Sequence, residues 1–233
     1  MGEDPTEVMA MRQTFALLLL YAAGLYGLPA LAVAQPRAQP HDRAALDARV
    51  QRFLADRANT WRDLNVPEQD GQLLHDLIVE HKFTRALEIG TSTGHSGIWI
   101  AWALSKTGGR LITVEVDAAR HKEALANFEA AGLAAYVDAR LGDAHEIVPA
   151  LAGPFDFVFS DADKDWYPNY FTAVFPKLTV GGCYTTHNTS ERRGGRGTAG
   201  SADYLALLRR TPGAETTVDE RGGGMAITWK RER

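Results

Sequence analysis

The stretch LEIGTSTGHSG, from Leu87 to Gly97, restricts the architecture more than any other part of the chain. A short β-prone run stops at Gly90, a polar turn with a second glycine follows, and SGIWIAWALSK then reads as a buried helix. The same strand–turn–helix order recurs. RLITVEVD precedes AARHKEALANFEAAGL, AYVDARLGDA precedes HEIVPAL, and FDFVFSDAD precedes WYPNYFTAVFPKL, after which GGCYTTHN is again strand-like. Strands that alternate with helices build βαβ units, and βαβ units build a parallel sheet covered on both faces. Two helices precede this series. DRAALDARVQRFLADR carries Leu46, Val50, Phe53 and Leu54 on one face, and PEQDGQLLHDLIVEH opens at Pro67 and carries Leu73, Leu74, Leu77 and Ile78. The alternation ends after Asn188. DYLALLRR predicts one more helix, and AETTVDERGGGMAITWKR predicts two strands joined through Gly222 to Gly224. The expected fold is α/β: a Rossmann-like, doubly wound, mostly parallel sheet with a C-terminal antiparallel hairpin, forming one domain over residues 41–233.

The chain has 233 residues, 45% of them hydrophobic, enough for one domain with a full core. A net charge of −4 lacks the basic excess that a nucleic-acid partner would require. Cys183 is the single cysteine, which excludes an intramolecular disulfide and a multi-cysteine zinc site, and its apolar setting makes it a core residue. Residues 1–34 place Arg12 before an apolar run from Phe15 to Leu28 and a small-residue AVA at Ala32 to Ala34. This is the pattern of a signal peptide, or of a membrane anchor if it is retained, followed by a short linker at 35–40. The segment predicts an exported or membrane-anchored protein, with a cytoplasmic one as the alternative, and membrane contact through this segment alone.

In open α/β sheets ligands bind outside the carboxyl ends of the strands. Gly90 and Gly94 allow a tight turn and a close approach of backbone to ligand, and Glu115, ending the next strand, is placed to accept from a ribose diol. The spacing is G-x-x-x-G, not the G-x-G-x-x-G that seats a pyrophosphate. Glu88, just before the turn, would put a carboxylate near the ligand, which suits a sulfonium or ammonium better than a pyrophosphate. His95 and Trp99 read as wall or core residues.

The segments VPEQDGQLL, ALEIGTSTGHSG, LITVEVD, LGDAHEIVPAL, FDFVFSDADKDWYPNYF, GGCYTTHN and GGMAITWKR, taken in order, cover about the last 170 residues. Together they resemble the cation-dependent O-methyltransferases, the group that contains the catechol and caffeoyl-CoA O-methyltransferases. The resemblance implies a class I methyltransferase fold with S-adenosylmethionine as methyl donor and a small hydroxylated, catechol-like acceptor. It also makes a homodimer plausible. It places Val66, Glu88, Gly90, Thr91, Ser96, Glu115 and Ala144 around S-adenosylmethionine, with Asp161 at the cofactor's edge. It implies that Asp161 ligates a divalent cation, that Lys164 is the general base, and that Asp163 lies on the substrate side.

One position departs from the resembled family. There the strand after the Gly-Gly pair ends in Asp-Asn and both residues ligate the metal, whereas this chain has His187 and Asn188. Three readings of His187 stay open. It joins Asp161 and Asn188 as a metal ligand favouring softer ions, it is a neutral base beside Lys164 and Asn188, or it only hydrogen-bonds Asp161 and orders an altered site. An exported or tethered protein that binds ligand without turnover is the alternative function. A nicotinamide-dependent reductase is disfavoured by the glycine spacing. The Arg/Gly-rich loop after Asn188 reads as a solvated loop.

Overall fold

The computed structural model describes residues 40–61, 64–191 and 201–232. The signal-like segment, all of the linker but Pro40, and nearly all of the Arg/Gly loop lie outside the described residues. In chain order the elements are α1 (Pro40–Arg57), α2 (Glu68–His81), β1 (Arg85–Ile89), α3 (His95–Thr107), β2 (Arg110–Glu115), α4 (Ala118–Ala131) and β3 (Val137–Leu141). They continue with α5 (Ala144–Ala150), β4 (Phe155–Ser160), α6 (Tyr167–Val174), β5 (Leu178–His187), α7 (Ser201–Arg210), β6 (Ala214–Asp219) and β7 (Met225–Lys230). Each expected element is present. The segment expected as one helix around Tyr167 is instead α6 flanked by single 3₁₀ turns at Lys164–Trp166 and Phe175–Lys177.

The seven strands form one sheet in the order β3-β2-β1-β4-β5-β7-β6. All neighbours from β3 through β5 are parallel, and β7 runs antiparallel to β5 and to β6. Alternation along the strands separates two cores. Ala86, Phe157, Phe159 and Cys183 pack with α1 to α4, while Leu87, Ile89, Val158 and Tyr184 pack with α5 to α7. Cys183 is fully buried, and burial pushes its thiol well above the usual range, so it is a core residue and not a nucleophile.

Strand order reverses between β1 and β4, the switch point where an open α/β sheet leaves a crevice. The Asp161 N–H donates to the Ile89 carbonyl at 2.9 Å, which draws the ends of these two strands together. Gly90 follows β1 with φ +96°, and a Cβ there would lie 2.9 Å from the Asp161 carbonyl oxygen. Only glycine meets both conditions. Capping sets the helix starts: Asp117 accepts from the Ala119 and Arg120 amides, and Asp143 accepts from the His145 amide.

Candidate active site at the sheet switch point

A cavity of about 720 Å³ opens over the carboxyl ends of β1, β2 and β4. One wall carries Gly90, Ser92, Glu115 and Ala144, and the other carries Asp161, Asp163, Lys164, His187 and Asn188. Eight residues singled out from the sequence, namely Gly90, Glu115, Ala144, Asp161, Asp163, Lys164, His187 and Asn188, therefore line one space. Val66, Glu88, Thr91 and Ser96 do not line it; all four are buried behind its wall.

Glu88 is fully buried and accepts from the hydroxyls of Ser96 and Thr113, each at 2.6 Å. Burial raises its carboxyl to about 7, against the lowering effect of those two hydrogen bonds. Thr91 meets Thr113 from the other side. The expectation that Glu88 presents a carboxylate to a ligand is thus corrected: it ties β1, β2 and α3 together beneath the glycine turn. Glu115 does face the cavity. Its carboxylate accepts from the amides of Ser92 at 2.7 Å and Asp117 at 3.0 Å, which fixes its orientation.

The opposite wall is a chain of charges. Lys164 Nζ donates to Asp161 Oδ1 at 3.1 Å and to the Tyr167 hydroxyl at 3.0 Å. Tyr167 in turn donates to the His187 carbonyl at 3.2 Å. His187 Nδ1 lies 2.9 Å from Asp161 Oδ2, and Nε2 lies 2.8 Å from Asp70 Oδ2. Asp70 Oδ2 also accepts the Gly223 amide at 2.8 Å. Beside this wall Asp163 accepts from Tyr170 at 2.7 Å and meets His145 at 3.0 Å, while His145 stacks on Trp166.

Both ring nitrogens of His187 thus lie against carboxylate oxygens, an arrangement that favours the protonated ring. Burial opposes that charge, yet the hydrogen bonds and charges of Asp161 and Asp70 prevail and raise the ring to about 9. Two expectations are corrected here. His187 is not placed as a neutral base, because both of its nitrogens are engaged by carboxylates. The set Asp161, His187 and Asn188 does not fit a divalent cation either, since both His187 nitrogens are held by carboxylates and Asp161 Oδ1 by Lys164. Among the described residues no group of three or more His, Cys, Asp or Glu is arranged to hold a metal ion. The contact to Asp161 is the one in the third reading, with Asp70 added.

Asp70 was not singled out from the sequence, although a signal for it exists. It precedes Leu74 by four and Ile78 by eight on α2, so an acid lies on that helix's apolar face. Such an acid needs a buried partner. The glycines of the hairpin turn complete the enclosure. A Cβ on Gly222 would lie 2.0 Å from Asp70 Oδ1, and one on Gly223 would lie 2.5 Å from His187 Nε2.

His95 provides a contrast within the same chain. Its Nδ1 donates to the Val66 carbonyl at 3.0 Å, and its Nε2 accepts from the Trp99 indole at 3.2 Å. One donor and one acceptor partner describe a neutral ring, and burial lowers it to about 4. Because the folded value lies below the unfolded value of about 6.5, this histidine stabilises above pH 6.5 and loses that contribution as pH falls toward 4. Glu88 titrates with the opposite sign in an overlapping window, so the comparison must be made against a variant. Denaturant midpoints at pH 7 and 5 are expected to fall more steeply for the wild type than for His95→Phe. The excess would approach about 3 kcal/mol by pH 4. Equal slopes would rule out this assignment.

The family model described as O-methyltransferase matches residues 42–193. A catechol O-methyltransferase of Niastella koreensis is 43% identical over 112 residues, covering 46% of this chain and 50% of that protein. A catechol O-methyltransferase of Mycobacterium tuberculosis is 33% identical over 165 residues, covering 68% of this chain and 74% of that one. The chain thus spans about half the length of the first relative and three quarters of the second. Among solved structures, a Streptomyces achromogenes O-methyltransferase involved in tomaymycin synthesis, in complex with SAM, superposes with a TM-score of 0.65 at 27% identity. That match covers 85% of this chain and 93% of the other. A family match across most of the folded part, over a sheet with this strand order and this crevice, has one meaning: the chain belongs to the O-methyltransferase family.

Proposed function

We propose that this protein transfers the sulfonium methyl of S-adenosylmethionine to a hydroxyl of a small, catechol-like aromatic acceptor. The observation that carries the reading is that one cavity joins two sets of residues. A glycine turn with a ribose-binding acid, Gly90 and Glu115, faces a strand-end charge wall, Asp161, Lys164 and His187. A volume of about 720 Å³ suits two ligands held side by side.

The sulfonium of the donor and the Lys164 ammonium place positive charge beside the acceptor hydroxyl, which favours its ionised form. Its proton passes to Lys164 Nζ once that nitrogen has released one to water. The phenolate oxygen then displaces the sulfide in line. An O–C bond forms as the S–C bond breaks, and the two opposite charges vanish together. The products are an ether, a neutral sulfide and one proton. The rest of the acceleration comes from holding oxygen and methyl in line.

Calorimetric titration with S-adenosylmethionine is expected to show one site per chain, weakened about tenfold in Glu115→Gln through loss of a charged acceptor. Catechol turnover is then read on the same protein. No binding at millimolar ligand sinks the reading, and binding without turnover of any phenolic acceptor favours the exported, ligand-binding alternative. The signal-like segment supports an exported or tethered location, which N-terminal sequencing of the mature protein tests.

A further inference from the structure

We infer that the charged floor of this active site is a proton-bridged triad, Asp70–His187–Asp161, whose geometry closes it to a divalent cation. The inference rests on the proposed methyl transfer only for what the floor does; that it excludes a metal follows from geometry.

Four observations converge. Both imidazole nitrogens are engaged by carboxylate oxygens at 2.8 and 2.9 Å, so a metal at either nitrogen would have to break the contact to Asp70 or Asp161. The ring cannot swing aside to free one, since it is only 4% exposed and the backbone of Gly223 lies against it. Asp70 is 2% exposed and is held by the Gly223 amide as well as by the ring. The remaining oxygen of Asp161 accepts from the Lys164 ammonium, so a cation bound there would sit beside another at close range. Asn188 alone, in a left-handed conformation at φ +53°, is not a site.

His187 acts here as a positioning residue: it holds Asp161, which holds Lys164.

The test is a titration of the full chain, saturated with S-adenosylmethionine, with Mn²⁺ and separately with Zn²⁺, followed by calorimetry and, for Mn²⁺, by electron paramagnetic resonance. Expected are no stoichiometric uptake up to about 1 mM metal and turnover unchanged by excess chelator. In ¹⁵N-histidine spectra, both ring nitrogens of His187 should carry protons, identified by their loss in His187→Gln. His187→Asp is expected to gain one Mn²⁺ per chain, since carboxylates then converge without an imidazolium between them. Uptake of one metal ion per chain by the wild type at micromolar affinity, abolished by Asp161→Asn, would overturn the inference. So would a His187 ring with a single N–H. If S-adenosylmethionine fails to bind, the proposed function fails, but the metal titration and the nitrogen spectra still decide the triad. If His187→Asp does not fold, the wild-type titration decides alone.

Discussion

Lys164→Met is expected to lower kcat by about 10²–10⁴-fold, the usual contribution of a positioned proton acceptor, with S-adenosylmethionine affinity nearly unchanged. The separation follows from position. Lys164 lines the cavity from the β4 end, whereas Ser92 and Glu115 line it from the β1 and β2 ends. Lys164→Arg tells charge from proton transfer. A guanidinium restores the positive charge beside Asp161 but does not give up its proton, so it should rescue little of the rate. Recovery of most of the activity in the arginine variant would show that Lys164 acts by charge alone. A loss under tenfold in Lys164→Met would move the base elsewhere. Pre-steady-state methyl transfer, monitored with saturating donor, is the measurement.

Asp70→Ala is expected to be the most damaging single substitution for stability. It leaves the His187 imidazolium with one carboxylate at a buried position, strands the Gly223 amide, and opens a cavity on the apolar face of α2. Removing one partner of a buried, hydrogen-bonded charge pair costs about 3–5 kcal/mol. In a domain of this size that corresponds to a fall in Tm of roughly 6–20 °C. Asp70→Asn, whose amide oxygen can replace the Oδ2 that takes both contacts, should cost clearly less. A loss under about 1 kcal/mol in the alanine variant would mean that the bridge is not charged.

The fold was legible because its signals are local. Each strand of the alternating series is a short apolar run, each helix has its own period, and Gly90, Gly94 and Gly132 mark turns through backbone conformations that other residues resist. The floor of the site was half legible. Asp161, Lys164, His187 and Asn188 cluster at two strand ends that a parallel sheet must bring to one edge, so their neighbourhood could be read. What His187 does there could not. Its protonation depends on Asp70, which lies 117 residues away on a helix whose pattern draws attention to its leucines. Glu88 shows the opposite failure. Its position before a glycine turn suggested a ligand contact, but two hydroxyls, one from α3 and one from β2, capture it below the surface.

The hydrogen bond between Gly223 and Asp70 spans 153 residues, and the turn that supplies it belongs to the last hairpin of the chain. Contacts of such separation form late, because the loop they close must be ordered first. The glycine turn over the methyl-donor wall can assemble from β1 and its neighbours as soon as they pair. The charged floor cannot. A nascent or truncated chain lacking β6 and β7 would have His187 and Asp70 without the backbone that encloses them. Completion of the charged floor thus waits on the β6–β7 hairpin and on that edge of the sheet.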